Sequence, residues 1–385
     1  MRKIFPLFAF FLCLFALNGC KENSPEKKII PACEEKPALT LAYAQNFSVD
    51  SCGSFRILQV QNGKAAPVRW LLKDSLSPQE IPPNLSNYPQ ISIPAKRIVA
   101  LSSTYLGFLS ALQMEKNIVG IDTKKYIADS AFYAWADSVQ INEVGEGAAL
   151  SPEKIYALNA DAIFAFSMGE SIYDAYPKLA QLKMPVILTS EWIENSPLAK
   201  AEWLKFFGIL TGKESRADSL FAAHEKSYRE ILQKINAMVK AKPIVFTGSA
   251  AAGTWYASTG KSFMAHLIQD AGGIYLWAND SSKETLSMPF EKAFSDVQKA
   301  DIWLNAYGKN LQEILAGESR VKLFPVWKTG EIYGYNLRQG PAGGLDFYES
   351  AVVKPDSLLL DVAKILHPAY FQDEPSRWYR KLSNF

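Results

Sequence analysis

The stretch Glu214–Lys240, "ESRADSLFAAHEKSYREILQKINAMVK", decides the fold. Its stripe of Ala217, Leu220, Phe221, His224, Tyr228, Ile231, Leu232, Ile235 and Met238 recurs at steps of three and four. That is the spacing of one buried helix face. At 1.5 Å per residue the helix is roughly 40 Å long. It can leave one lobe and run onto another, so the flanks determine whether two lobes exist.

Both flanks alternate strand and helix. Upstream, "KRIVALS" reads as a buried strand, "TYLGFLSALQM" as a helix and "NIVGID" as a strand. Next comes the short helix "SPEKIYALN", with Ser151 as cap and Pro152 in its first position. The strand "ADAIFAF", the helix "SIYDAYPKLAQLK" and the strand "MPVILTS" follow. Downstream, the strand "PIVFTGSA", the helices "SFMAHLIQDAGG" and "FEKAFSDVQKA", the strands "ADIWLNAY" and "GEIYGYN" and the helix "DSLLLDVAKILH" repeat the rhythm. Strands separated by helices form parallel sheets covered on both faces. The expected class is α/β, two Rossmann-like lobes joined by one long backbone helix. The N-lobe is placed at 95–200, a linking helical region at 201–241 and the C-lobe at 242–385. Ahead of them, "LTLAYAQNFSV", "SFRILQVQ" and "APVRWLL", with Asn62-Gly63 as a turn signal, predict two or three antiparallel strands in a small β-rich extension, 38–94. The Pro-rich passage Ser77–Pro94 is expected to cross the surface.

At the N-terminus, Arg2 and Lys3 precede an apolar run, Ile4–Leu17, that is short for a membrane span and suits a signal peptide over 1–19. Leu17-Asn18-Gly19-Cys20 resembles the lipobox of bacterial lipoproteins. This implies that Cys20 is acylated and ties the chain to a bacterial membrane, in the periplasm or at the cell surface. Residues 20–37, charged and Pro-containing, read as the lipidated tether. Cys33 and Cys52 then remain as an even pair in an oxidising compartment, which suggests a disulfide. Two free buried thiols are the alternative.

The formal charge is +2, and losing Arg2 and Lys3 with the signal leaves zero. A near-neutral chain without basic blocks argues against nucleic acid as a partner. Gly260-Lys261-Ser262 follows a strand and precedes a helix, as in a phosphate-binding loop. That loop, however, needs a glycine where Trp255 stands, so the triplet is read as a turn and helix cap. His224, His266 and His367 fall in separate segments without Cys partners, and no Gly-x-Ser-x-Gly elbow is present.

"KRIVALSSTYLGFLSALQMEKNIVGID" (Lys96–Asp122), then "LSPEKIYALNADAIFAF", "KMPVILTSEWIENSPLAKAEWLKFFGILTGKE", "GTWYASTGKSFMAHLIQDAGGIYLW" and "GGLDFYESAVVKPD" resemble, in that order, the ABC-importer substrate-binding proteins with a helical backbone. The resemblance spans about residues 95 to 370. It implies capture without catalysis and without a cofactor. A metal chelate (ferric siderophore, haem or corrinoid) would sit between the lobes, and the monomer would deliver it to an ABC permease. The "SPLAKAEWLKFFG" and "DFYES" segments look most like the iron-complex branch, with a corrinoid binder as the alternative within the class. Outside it, an enzyme on the same fold would need a buried catalytic dyad in the cleft, and a surface adhesion protein a cleft filled by side chains. Such proteins usually dock through a Glu on the first helix of each lobe. Here the two positions fall on Gly107 and near His266, so Glu115 and Asp270 would have to serve, or the ligand is handed on differently, for example to an outer-membrane receptor.

Open α/β sheets place ligands at the carboxyl ends of their strands. The candidate contacts are therefore Ser103, Thr104, Tyr105, Lys125, Tyr126, Met168, Glu170, Glu191, Trp192, Trp255, Tyr256, Trp277, Tyr335, Arg338, Phe347 and Tyr348. Flat aromatic faces would cover a bulky chelate, while Lys125 and Arg338 would neutralise an anionic one. Trp255 and Arg338 are the leading choices.

Overall fold

The computed structural model describes residues 32–63, 65–75, 80–168, 174–282, 285–373 and 375–383. The expected signal peptide, Cys20 and most of the tether lie outside them.

Glu214–Met238 is one unbroken helix of 25 residues, about 37 Å long at 1.5 Å per residue. It begins just after Gly212, whose left-handed φ of 68° ends the preceding helix, Trp203–Thr211. Its first half buries Ala217 and Phe221 against that helix and the N-lobe core. Its second half buries Tyr228 and Ile235 among the C-lobe residues of Pro355–Leu366. The first crossing is tight, because a Cβ on Gly208 would lie 2.7 Å from that of Ala217. His224 of the stripe pairs with Asp356 at 2.8 Å.

The N-lobe sheet is fully parallel, in spatial order Val186–Thr189, Ala162–Phe166, Ile98–Ala100, Ile118–Ile121 and Asn142–Glu143. In the C-lobe, Ile244–Ala251 runs parallel to Ile274–Tyr275 on one side and Ile302–Ala306 on the other. Ile332–Gly334 extends the parallel set, and Arg380–Lys381 closes the edge antiparallel. The far end of Ile244–Ala251 turns back as Thr254–Ala257, which pairs with Leu286–Pro289.

The N-terminal extension holds five strands, more than the two or three expected. Lys36–Pro37, Phe47–Cys52, Phe55–Val60 and Val68–Asp74 are antiparallel. Gln90–Ile93 then joins Val68–Asp74 in parallel. The Pro-rich passage therefore ends as an edge strand. Its Gln-Ile-Ser-Ile alternates exposed and buried, a signal that the prolines before it obscured. Cys33 and Cys52 form a disulfide with Cα atoms 5.5 Å apart.

This extension shares the N-lobe core. Phe47, Val49, Leu58 and Trp70 pack in one cluster with Trp203, Phe206 and Phe207. The Trp70 indole donates to the Val186 carbonyl at 3.0 Å. Two buried carboxylates fasten the loop before the second strand. Glu202 accepts the N–H groups of Ala42, Tyr43 and Ala44, while Glu194 accepts those of Gln45 and Asn46 together with the Trp203 indole.

Candidate ligand-binding cleft

The carboxyl ends of the two parallel sheets meet. After Ile118–Ile121 the N-lobe chain makes the turn Lys124–Tyr126. After Ile332–Gly334 the C-lobe chain makes a hairpin over 338–346, closed by Gly340 N–H donating to the Gly344 carbonyl at 2.8 Å. The hairpin presses onto the turn. A Cβ on Gly340 would lie 2.0 Å from the Ile127 carbonyl oxygen, and one on Gly344 would lie 2.3 Å from that of Tyr126. Only glycine allows such an approach.

Just beyond, the Glu349 carboxylate reaches across the lobes and accepts the N–H groups of Ala128 at 2.7 Å and Asp129 at 3.1 Å. Burial pushes its pKa up to about 7, with Asp346 and Asp129 adding and the two N–H donors opposing. The Glu349 carbonyl lies against Gly107, where a Cβ would approach to 2.1 Å. Gly107, where the resemblance would put a docking acid, is therefore buried at the lobe contact. His266 is half-buried, its ring nitrogen 3.0 Å from the Ser262 carbonyl.

Exposed polar and aromatic side chains past the carboxyl ends of the strands make up the rim. Lys125 is exposed, its ammonium 5.0 Å from the Tyr126 ring centroid. The Tyr126 hydroxyl bonds to Glu146, which with partial burial raises the phenol to about 12. Burial pushes Asp122, at the end of its strand, up to about 7, with Glu146 and Glu143 adding. Met168 is exposed and Trp192 is 43% exposed, each just past a strand of the N-lobe sheet. From the C-lobe come Tyr348, half-exposed, and Tyr307, 71% exposed. Arg338 contacts Asp346 at 3.2 Å yet keeps 57% of its side chain exposed. Asp346 also accepts from Ser350 and the Trp378 indole, so it serves as a fixed anchor for the arginine.

Several expected contacts lie elsewhere. Trp255 is fully buried among Phe246, Phe290, Trp303 and Phe324 and donates to the Thr247 carbonyl, so it is a core residue. Tyr105 is equally buried, its hydroxyl bonded to Thr189 at 2.7 Å. Trp277 packs between the C-lobe clusters and donates to Asp296. Tyr335 and Phe347 are nearly buried in contact with Tyr348, whose hydroxyl donates to that of Tyr335 at 3.2 Å. Thr104 is half-buried, its N–H capped by the Ser102 hydroxyl, and Ser103 begins the same helix. Tyr256 is exposed on the hairpin strand. Glu191 is buried at the end of its strand, and Glu170 lies outside the described residues. Tyr307, which the sequence reading missed, had a legible signal, since it directly follows the last residue of the strand Ile302–Ala306. Ser262 caps the following helix by accepting the Ala265 N–H, in keeping with a turn and not a phosphate loop.

Among the described residues no three His, Cys, Asp or Glu side chains are grouped to hold a metal ion. Away from the rim, a depression of about 240 Å³ beside the long helix is lined by Tyr43, Pro197, Tyr228, Leu232 and Asp270.

A family model described as periplasmic binding protein matches residues 98–336. An uncharacterized lipoprotein of Methanocaldococcus jannaschii is 23% identical over 310 residues, covering 77% of this chain and 70% of the relative. A second uncharacterized lipoprotein of that organism is 23% identical over 422 residues, covering 99% of this chain and 100% of the relative. Among solved structures, a periplasmic binding protein from Veillonella parvula superposes with a TM-score of 0.58 at 13% identity, covering 82% of this chain and 99% of that one. A periplasmic heme binding protein from Pseudomonas aeruginosa gives 0.55 at 18%, with 71% and 94% covered. A possible iron-binding (periplasmic solute-binding) protein from Staphylococcus epidermidis gives 0.54 at 17%, with 71% and 99% covered. At these identities the likeness is one of fold.

Proposed function

This chain belongs to the periplasmic binding protein family, and on that premise we propose that it captures a ferric siderophore or related metal chelate between its lobes and delivers it to an ABC permease. The observation that carries the reading is the make-up of the rim. Exposed aromatic and thioether side chains (Met168, Trp192, Tyr307, Tyr348) and two exposed cations, Lys125 and Arg338, stand in the segments that follow parallel strands of both lobes, Tyr348 in the turn Asp346–Tyr348. Rings of this kind cover flat organic surface, and the cations offset the charge of an anionic complex. The chain acts by binding, as its family does, and the chelate leaves chemically unchanged.

Lipid on Cys20 would hold the protein at a membrane, a reading supported by lipoprotein relatives. With Gly107 buried, docking onto a permease would use Glu115, partly exposed and bonded by the Ser110 hydroxyl, or acids that are fully exposed.

Quenching of intrinsic fluorescence on titration with a ferric trihydroxamate, ferric citrate, haem and cobalamin tests the reading. The expected result is saturable quenching by a ferric chelate at sub-micromolar concentration. Saturation by cobalamin alone would move the assignment to corrinoids, and no saturation by any of the four would remove the chelate reading.

A further inference from the structure

The two lobes are joined by a length of the long helix that belongs to the core of neither. Ala217 and Phe221 lie in the N-lobe core and Tyr228 and Ile235 in that of the C-lobe, while no residue of 222–227 is part of either cluster. From Phe221 to Tyr228 the helix rises about 10 Å. Rocking of one lobe against the other bears on this span, because a hinge needs a few positions that packing does not hold.

The span is gripped from two sides. His224 meets Asp356, in the first turn of the C-lobe helix Pro355–Leu366, at 2.8 Å. One residue on, the grip comes from the N-terminal extension. The Tyr43 hydroxyl donates to Glu225 at 2.6 Å and accepts from Arg229 at 2.5 Å, and Arg229 donates to Glu225 at 3.0 Å. Hydrogen bonds with a charged partner are the stronger kind. The Tyr43 ring meets Phe221 edge to face with centroids 6.0 Å apart, and it packs against both cores.

Tyr43 has a fixed base. Its own N–H and those of Ala42 and Ala44 are accepted by Glu202, fully buried and directly ahead of the N-lobe helix Trp203–Thr211. Beyond Tyr43 the long helix is tied to the C-lobe again, where the Tyr228 hydroxyl donates to Asp270 at 2.6 Å. Tyr43 and Asp270 both line the depression of about 240 Å³, so the loop stands next to the C-lobe without filling the space between them.

We propose that the loop 42–46 is a brace: anchored on the N-lobe through Glu202, it holds the middle of the long helix through Tyr43 and so sets the angle between the lobes and the width of the cleft. The brace lies upstream of the family match at 98–336, so it is a restraint added to the shared fold. It acts whatever the ligand is.

The amides of Ala128 and Asp129, bonded across the lobes to Glu349, report the angle directly. Hydrogen–deuterium exchange is followed in the full-length protein, in Tyr43→Phe, which keeps the ring and loses the hydroxyl, and in Tyr43→Ala, with no ligand added. Exchange in 124–129 is expected to rise about threefold in Tyr43→Phe and about tenfold or more in Tyr43→Ala, while the strands Phe47–Cys52 and Phe55–Val60 keep wild-type protection. Unchanged exchange in 124–129 in both variants would overturn the brace. An equal rise in the two strands would overturn it as well, since the N-terminal sheet alone would then have loosened. If Tyr43→Ala does not fold, Tyr43→Phe decides by the same criteria.

Discussion

Trp192 and Trp255 place the same indole in opposite surroundings, and their substitutions should behave accordingly. Trp192 is 43% exposed just past its strand, whereas Trp70, Trp203, Trp255, Trp303 and Trp378 are each under 2% exposed. A chelate held at the rim should report mainly through Trp192. Trp192→Phe is expected to remove most of the ligand-induced quenching and, by losing part of a stacking face, weaken binding by about threefold to tenfold. Unchanged quenching in that variant would place the ligand elsewhere. Trp255→Ala should instead cost about 3–5 kcal/mol of stability, the usual penalty for emptying a large aromatic site in a core, read as a lowered denaturation midpoint. "TWYA" was misread because a strand sends neighbouring side chains to opposite faces. In Thr254–Ala257, Trp255 points into the core and Tyr256 outward, and the sequence gives no hint which of the two faces solvent. The exposure of Arg338 was legible because a long cation in a Gly-rich loop has few ways to be buried. Arg338→Ala is expected to weaken binding of an anionic chelate by about tenfold with little change in the melt.

Among the elements, the helix Ser103–Ala111 shows how a lobe contact restricts a single position. Gly107→Ala would push a methyl group into the Glu349 carbonyl from 2.1 Å away. Backbone cannot rotate aside as a side chain can, so the cost is about 1–3 kcal/mol, measurable by urea titration. Wild-type stability in that variant would mean that the two lobes give way easily at this seam. The long helix was the most legible element, because its stripe runs from Ala217 to Met238 without a break. Parallel strands were legible as apolar runs between helices. The edge strand Gln90–Ile93 was not, since four residues after a run of prolines carry too short an alternation to stand out. Nor was the lobe contact, because the glycines of 340–344 announce a loop without naming what it presses against.

At the scale of the molecule, Glu349 couples stability to pH. Its pKa is about 7 in the fold against an ordinary 4.5, so the folded chain keeps this proton where the unfolded chain has lost it. The folded state then binds more protons between those values, and stability falls as pH rises through that window. The stabilisation is complete below about pH 4.5 and gone above about pH 7, with an upper bound of about 3 kcal/mol. Asp122, raised to about 7 by burial, acts in the same direction. Glu349→Gln is expected to flatten the fall in stability between pH 5 and pH 7.5 (about one to three kcal/mol), read from denaturant midpoints across pH. A slope identical to wild type would show that the carboxyl is solvated and the lobes are apart there.

The family match begins at residue 98, yet the loop at 42–46 hands five N–H donors to Glu194 and Glu202. A chain trimmed to the family boundary would leave Glu194 with the Trp203 indole and Glu202 with Lys205 in place of five backbone donors, and strip the Phe47 ring from Phe206. The smallest piece able to stand alone therefore extends well upstream of the shared portion, and any attempt to transplant the cleft into another protein must carry that N-terminal sheet with it.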